Sequence, residues 1–171
     1  MQEKGAVLIV DDEAEVVSLA QEGLVSAGFL CSTAPDARGA LELLKQELFD
    51  VAIIDIDLPD MSGFDLTREA KMLCPDIAVV MITGFIEKFS YDEAIKAGAL
   101  DFLKKPFTPK ELIARIAQVR INGQLRKREE ELKKKVEELQ EFYDIAVGRE
   151  SRMLELKNEI ARLKKQLEEC K

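Results

Sequence analysis

The chain has 171 residues, 47% of them apolar and 34% charged, with a net charge of −8; that is room for one domain of ordinary size plus an extension. Residues 1–121 hold 12 Lys and Arg against 21 Asp and Glu (net −9), whereas residues 122–171 hold 13 against 12 (net +1). So acidic a first part argues against a direct nucleic-acid surface, which needs basic charge, and favours cations and basic partners.

The first apolar run, Ala6-Val7-Leu8-Ile9-Val10, reads as a strand terminated by Asp11-Asp12. Residues 13–27 carry Val16, Leu19, Ala20 and Leu24 on one face of a helix, with Gly28 placed to end it. A short strand over 29–34 follows. Asp36 then N-caps a helix whose Leu41, Leu44 and Leu48 form a stripe. Val51-Ala52-Ile53-Ile54 is an apolar run that ends abruptly in Asp55, and Pro59 closes the segment. A run without polar residues suits a strand covered on both faces, as in a parallel sheet. Residues 60–63 have turn chemistry, and a helix over 64–73 is stopped by Pro75. A strand over 77–82 runs into Thr83-Gly84, a shorter helix over 87–97 is closed by Gly98, and a strand over 99–103 runs into Lys104-Lys105-Pro106. Thr108-Pro109-Lys110-Glu111 is a capping box with proline at the first helical position, and Leu112, Ile113, Ile116 and Val119 face inward beyond it. Five strand–helix alternations with short connections imply a parallel sheet flanked by helices. This domain is expected to occupy residues 1–121.

Asn122-Gly123 is the only breaker before a different kind of segment, 122–171. Leu132, Val136, Leu139, Tyr143 and Ala146 are spaced four, three, four, three; Met153, Leu156, Ile160, Leu163, Leu167 and Cys170 are spaced three, four, three, four, three. Both are heptad seams set among charged residues, the pattern of a coiled coil. Their registers differ by a three-residue stammer near residues 146–153, around Gly148. A helix of this length reaches about 70 Å. Alone it cannot bury its seam, so the expectation is a parallel homodimer.

The sharp polar residues all fall at strand ends: Asp11 and Asp12 after the first strand, Asp55 after the third, Thr83 after the fourth and Lys105 after the fifth. In a parallel sheet those ends share one edge, which is where such folds bind ligands. Converging carboxylates repel unless a cation sits among them, and hard oxygen ligands without His or Cys suit Mg²⁺. Lys105 and the Thr83 hydroxyl would hold the oxygens of a phosphoryl group, and Asp is a competent acceptor as an acyl phosphate. The chain has no histidine, which excludes His-based catalysis, and any phosphohistidine must belong to another protein. Three separated cysteines, Cys31, Cys74 and Cys170, fit a reducing cytosol and argue against disulfides or zinc. The residues before the first apolar run do not read as a signal peptide, and no run approaches the roughly 18 apolar residues of a membrane span, so a cytoplasmic protein is expected.

Asp11-Asp12, Asp55 followed by Leu58-Pro59, Thr83-Gly84, Phe102 and Lys105-Pro106 resemble the receiver domain of two-component response regulators over residues 5–121. The resemblance implies a flavodoxin-like five-stranded sheet in the order 2-1-3-4-5. It implies that Asp55 accepts a phosphoryl group from a histidine kinase or phosphotransfer protein, with Mg²⁺ held by Asp12, Asp55, the Asp57 backbone carbonyl and, through water, Asp11. Lys105 would contact the phosphoryl group while Thr83 moves toward it and Phe102 rotates inward. Asp57 and Phe85 stand where that family tunes phosphoryl lifetime. Such a protein catalyses its own phosphorylation and dephosphorylation rather than turning over a separate substrate. A haloacid-dehalogenase-like reading of Asp55-x-Asp57 fails on order, because the acidic pair Asp11-Asp12 comes first here. Residues 142–167 are similar to signalling-helix coiled coils, and no helix-turn-helix, ATP-binding motif or cyclase signature is visible. The second reading is a dimeric adaptor that uses a receiver fold without phosphorylation.

Overall fold

The structure, a computed structural model, describes residues 4–84 and 91–169, apart from the side chains of 91, 92, 150, 151, 163, 164 and 166–169. Phe85, the first part of the expected 87–97 helix, Cys170, and the side chains of Leu163 and Leu167 lie outside the described residues. Strands β1 (Ala6–Val10), β2 (Leu30–Ala34), β3 (Val51–Asp55), β4 (Ala78–Thr83) and β5 (Asp101–Lys104) alternate with helices α1 (Ala14–Ser26), α2 (Ala37–Gln46), α3 (Gly63–Leu73), α4 (Tyr91–Ala97) and α5 (Pro109–Glu169). All strand pairs are parallel and the order is β2-β1-β3-β4-β5, the flavodoxin-like arrangement expected.

The continuous apolar runs are explained by cover on both faces. β3 and β4 are buried along their whole length. On one face Leu8, Val10, Ala52, Ile54 and Met81 pack with Leu44, Leu66 and Ala94 from α2, α3 and α4. On the other, Val7, Ile9, Ile53, Val80 and Ile82 pack with Leu24 of α1 and with Leu112 and Ile116 of α5. Each fully buried Ile or Leu contributes about 1.5–3 kcal/mol over its exposed state. The strand order reverses between β1 and β3, which opens a crevice at the carboxyl ends of those two strands.

Local signals set the helix ends. Asp36 caps α2 by accepting from Gly39 N–H at 2.7 Å, and Gly28, at φ 91°, ends α1. Thr108 and Glu111 form the reciprocal capping box, with Thr108 N–H donating to Glu111 Oε2 at 2.8 Å and Glu111 N–H to Thr108 Oγ1 at 3.3 Å.

Three expectations are corrected. Leu19 faces solvent while Ala20 and Leu24 carry the buried face of α1. Leu48 is 87% exposed, because α2 stops at Gln46 and the extended backbone at Glu47 turns Phe49 inward instead. Asn122-Gly123 does not break the chain: α5 runs through it. One glycine costs a helix interior only about 1 kcal/mol, and nothing nearby is a proline.

The chain forms two compact units, Met1–Gln124 and Leu125–Lys171. In the second, Leu132, Val136, Leu139, Tyr143, Met153, Leu156 and Ile160 are all exposed. No helix among the described residues is long and apolar enough to cross a membrane.

Candidate functional site

The pocket is assembled at the carboxyl edge of the sheet. Asp11 directly follows β1; its amide donates to Ala34 O, and its Oδ1 accepts from Glu13 N–H at 2.9 Å, fixing the turn into α1. Asp55 is the last residue of β3, 4% exposed, and Thr83 the last of β4, 2% exposed. Lys105 follows β5, where its amide donates to the carbonyl of Thr83 at 2.8 Å, tying the ends of β4 and β5 together. The Lys105–Pro106 peptide is cis.

Lys105 Nζ lies 2.7 Å from Asp55 Oδ2, 2.8 Å from Glu13 Oε1 and 2.8 Å from Asp11 Oδ2. The first two are hydrogen bonds; the contact to buried Asp11 Oδ2 is an ion pair that lacks hydrogen-bond alignment. Burial pushes both Asp11 and Asp55 above the usual carboxylate range, against the pull of Lys105, and the charge of Asp11 pushes Asp55 further. Burial works to lower Lys105, but the three carboxylates of Asp11, Asp55 and Glu13 around it outweigh that and raise it.

Asp11, Asp12 and exposed Asp57 surround this core. Asp11, Asp12 and Asp55 each present an oxygen within 4.8 Å of the others. Two buried carboxylates and one exposed carboxylate, with a single ammonium among them, are a donor set of hard oxygens with excess negative charge. That fits a divalent cation such as Mg²⁺. Asp57 N–H points at Asp55 Oδ1 from 3.5 Å. The loop that carries Asp57 closes on itself through Gly63 N–H to Ile56 O at 2.9 Å. A Cβ at Gly63 would stand 2.2 Å from the Asp55 carbonyl oxygen, so only glycine lets α3 start this close to β3. Phe102 is half-buried against the core beneath α2, α3 and α4.

The sequence-predicted Asp11, Asp12, Asp55, Thr83 and Lys105 thus gather at one edge, with Asp57 on the rim. Sequence reasoning misses three contributors. Glu13 holds Lys105. Gly63 permits the tight loop. Asp60 braces that loop by accepting from Ala37 N–H at 2.9 Å and Arg38 N–H at 3.0 Å at the start of α2; these bonds hold its carboxyl below the usual range. The acidic Glu13 beside Asp11-Asp12 is a readable signal; the reach of Asp60 across 22 residues is not.

A buried aspartate facing a lysine across an acidic pocket, on a 2-1-3-4-5 parallel sheet, defines a CheY-like α/β domain. The family model for the response regulator receiver domain matches residues 7–117. The chain belongs to that family, the receivers of two-component systems. It is 37% identical over 119 residues to the Probable transcriptional regulator ycf27 of Guillardia theta, covering 70% of this chain and 46% of that protein. It is 34% identical to the response regulator SaeR of Staphylococcus aureus, covering 64% of this chain and 48% of that one. The chain therefore spans just under half the length of these curated relatives. Among solved structures, a CheY-like receiver domain protein of Methanospirillum hungatei aligns with TM-score 0.66 and 29% identity, over 71% of this chain and 97% of that one. NtrX of Brucella abortus aligns with TM-score 0.70 and 31% identity, over 75% of this chain and 29% of that one.

Proposed function

We propose that the chain is a phosphorylatable receiver in which Asp55 is the acceptor and a histidine kinase or phosphotransfer protein the donor. The single observation that carries this reading is the placement of Lys105 Nζ 2.7 Å from Asp55 Oδ2 inside a pocket of converging carboxylates. An Asp55 oxygen attacks the phosphorus of the partner's phosphohistidine. The P–N bond breaks, the imidazole leaves with the electron pair, and an aspartyl phosphate remains. Mg²⁺, when bound, neutralises charge on the transferring group; Asp11, Asp12, Asp55 and the Asp57 carbonyl are the groups that would hold it. Lys105 is positioned to keep one phosphoryl oxygen compensated, and the Thr83 hydroxyl, one strand over, to take another.

In this reading Thr83 and Phe102 are the switch residues, and Asp57 and Phe85 set the lifetime. Residues 1–121 act as the receiver and 122–171 as a parallel homodimeric coiled coil that receives the signal from the α5 side. The exposed apolar seam in Leu132, Val136, Leu139, Tyr143, Ala146, Met153, Leu156 and Ile160 supports the pairing. Leu163 and Leu167 continue that seam in sequence. Free Cys31 and Cys74, both half-buried, support a reducing cytoplasm.

The test is incubation with Mg²⁺ and acetyl phosphate, read by intact mass beside Asp55→Asn. A phosphoryl adduct on the wild type alone is expected. A folded, Mg²⁺-supplied wild type that takes no adduct would leave the phosphorylation-independent adaptor as the better account.

A further inference from the structure

We propose that Glu13 is a positioning residue that holds one donor of Lys105 until a phosphoryl group arrives, and so restrains phosphorylation. This rests on the reading of Asp55 as the acceptor and deepens it.

A lysine ammonium has three N–H donors. Here three carboxylate oxygens, from Asp55, Glu13 and Asp11, stand 2.7–2.8 Å from Lys105 Nζ. Asp55 and Glu13 each take one N–H, and Asp11 Oδ2 crowds the third side without an aligned bond, so a phosphoryl oxygen reaches the ammonium when one of the three withdraws. Asp11 is the least able: its side chain is 0% exposed and its other oxygen is bonded to Glu13 N–H. Asp55 itself becomes the phosphorylated group. Glu13 remains, with its side chain 61% exposed, and exposed ion pairs are weak enough to exchange with water.

Two further observations leave the Glu13 carboxylate available for Lys105 and able to leave it. It sits at the N-cap position of that helix yet makes no side-chain cap; Asp11 Oδ1 takes the amide of Glu13 instead. Glu13 also lines an open surface groove with Val16, Leu19, Gly84, Lys105 and Pro106, which gives its carboxylate space to swing away. Its charge lies 92 residues from Lys105 in sequence, so the fold alone brings the pair together.

With acetyl phosphate as donor, the Asp55 oxygen attacks phosphorus, the P–O bond to acetate breaks, and acetate leaves with the electron pair. Release of Glu13 from Lys105 accompanies this step. The experiment compares wild type, Glu13→Gln and Glu13→Asp, as the full chain with Mg²⁺. Initial rates of adduct formation are read by intact mass across donor concentrations. Asp keeps the negative charge but is one methylene shorter and withdraws from the ammonium. Both variants are expected to raise the maximal rate about two- to fivefold, the size an exposed ion pair can supply.

Acceleration in Glu13→Gln alone would mean that the charge repels the anionic donor, and would overturn the proposal. Unchanged or slower rates in both would overturn it as well. A readout independent of phosphorylation is the exchange protection of the Lys105 ammonium in ¹⁵N NMR, which both variants should lower. If wild type took no adduct but this protection still fell in both, the acceptor reading would fail while the hold on Lys105 stood. Unchanged protection would sink the hold itself.

Discussion

Leu8, Ile53 and Met81 in the first unit are fully buried, whereas Leu132, Val136, Leu139 and Tyr143 in the second are 57–68% exposed. The same kinds of residue meet opposite fates because their spacing differs. Continuous apolar runs make strands that helices of the same chain can cover on both sides. A stripe at spacing three and four on one long helix stays exposed within its unit, and in the proposed dimer a second copy would cover it. The first unit therefore carries its own core, whereas the proposed pairing would make the stability of the second depend on concentration.

The largest test of that contrast is a pair of truncations. Ile53→Ala should lower the urea midpoint of the receiver by the equivalent of about 2–5 kcal/mol, from lost burial plus a cavity. Leu139→Ala should leave that transition in place and weaken self-association, read by sedimentation at several concentrations. A receiver midpoint that moved with Leu139→Ala would break the separation between the units.

Glycines sharpen it next. Gly63→Ala drives a methyl into the Asp55 carbonyl and should destabilise the receiver by about 3 kcal/mol in thermal melts. Gly148 should do the reverse, because a methyl added there meets nothing within 4 Å. Gly148→Ala should add helix stability of up to about 1 kcal/mol, seen as a higher helical melting temperature.

The smallest expected effect is electrostatic. Burial holds Asp11 and Asp55 above their unfolded value of 3.8, so the stability they contribute is present below that value and is lost as pH rises through the raised folded values. Asp55→Asn should then raise the urea midpoint at neutral pH in chelator. The gain should shrink as pH falls through the raised folded value of Asp55, where the wild-type carboxylate takes up its proton, and should shrink again when Mg²⁺ supplies a counter-ion. Asp60, held low by its bonds to α2, pulls the other way: its contribution is present above the unfolded value and is lost as pH falls through its lowered one. A pH-independent difference between wild type and Asp55→Asn would sever the link between burial and the acidic pocket.

Much of the first unit is legible in the sequence because its signals are local. Val51–Asp55 announces a buried strand with a carboxylate at its mouth, and Thr108 with Glu111 announces a helix start three residues apart. What escapes depends on distant partners or on margins. Asp60 and Glu13 act through groups 22 and 92 residues away, which no window along the chain contains. Leu48 and Phe49 exchange places because one extended residue, Glu47, decides which side chain turns inward. Gly123 reads as a break because glycine is a common terminator, yet helix formers on both sides outweigh a single unfavourable residue.

The 2.8 Å bond from Lys105 N–H to the Thr83 carbonyl acts as a yoke. It couples the main chains that carry Thr83 and Lys105, the two groups proposed to contact a phosphoryl group. Dragging the end of β4 toward the pocket would carry Lys105 along or break that bond, whereas turning the Thr83 hydroxyl about its own Cα–Cβ axis disturbs neither. In the proposed phosphorylated state, a response carried by the Thr83 side chain would leave this tie between β4 and β5 intact, and one carried by the main chain would not.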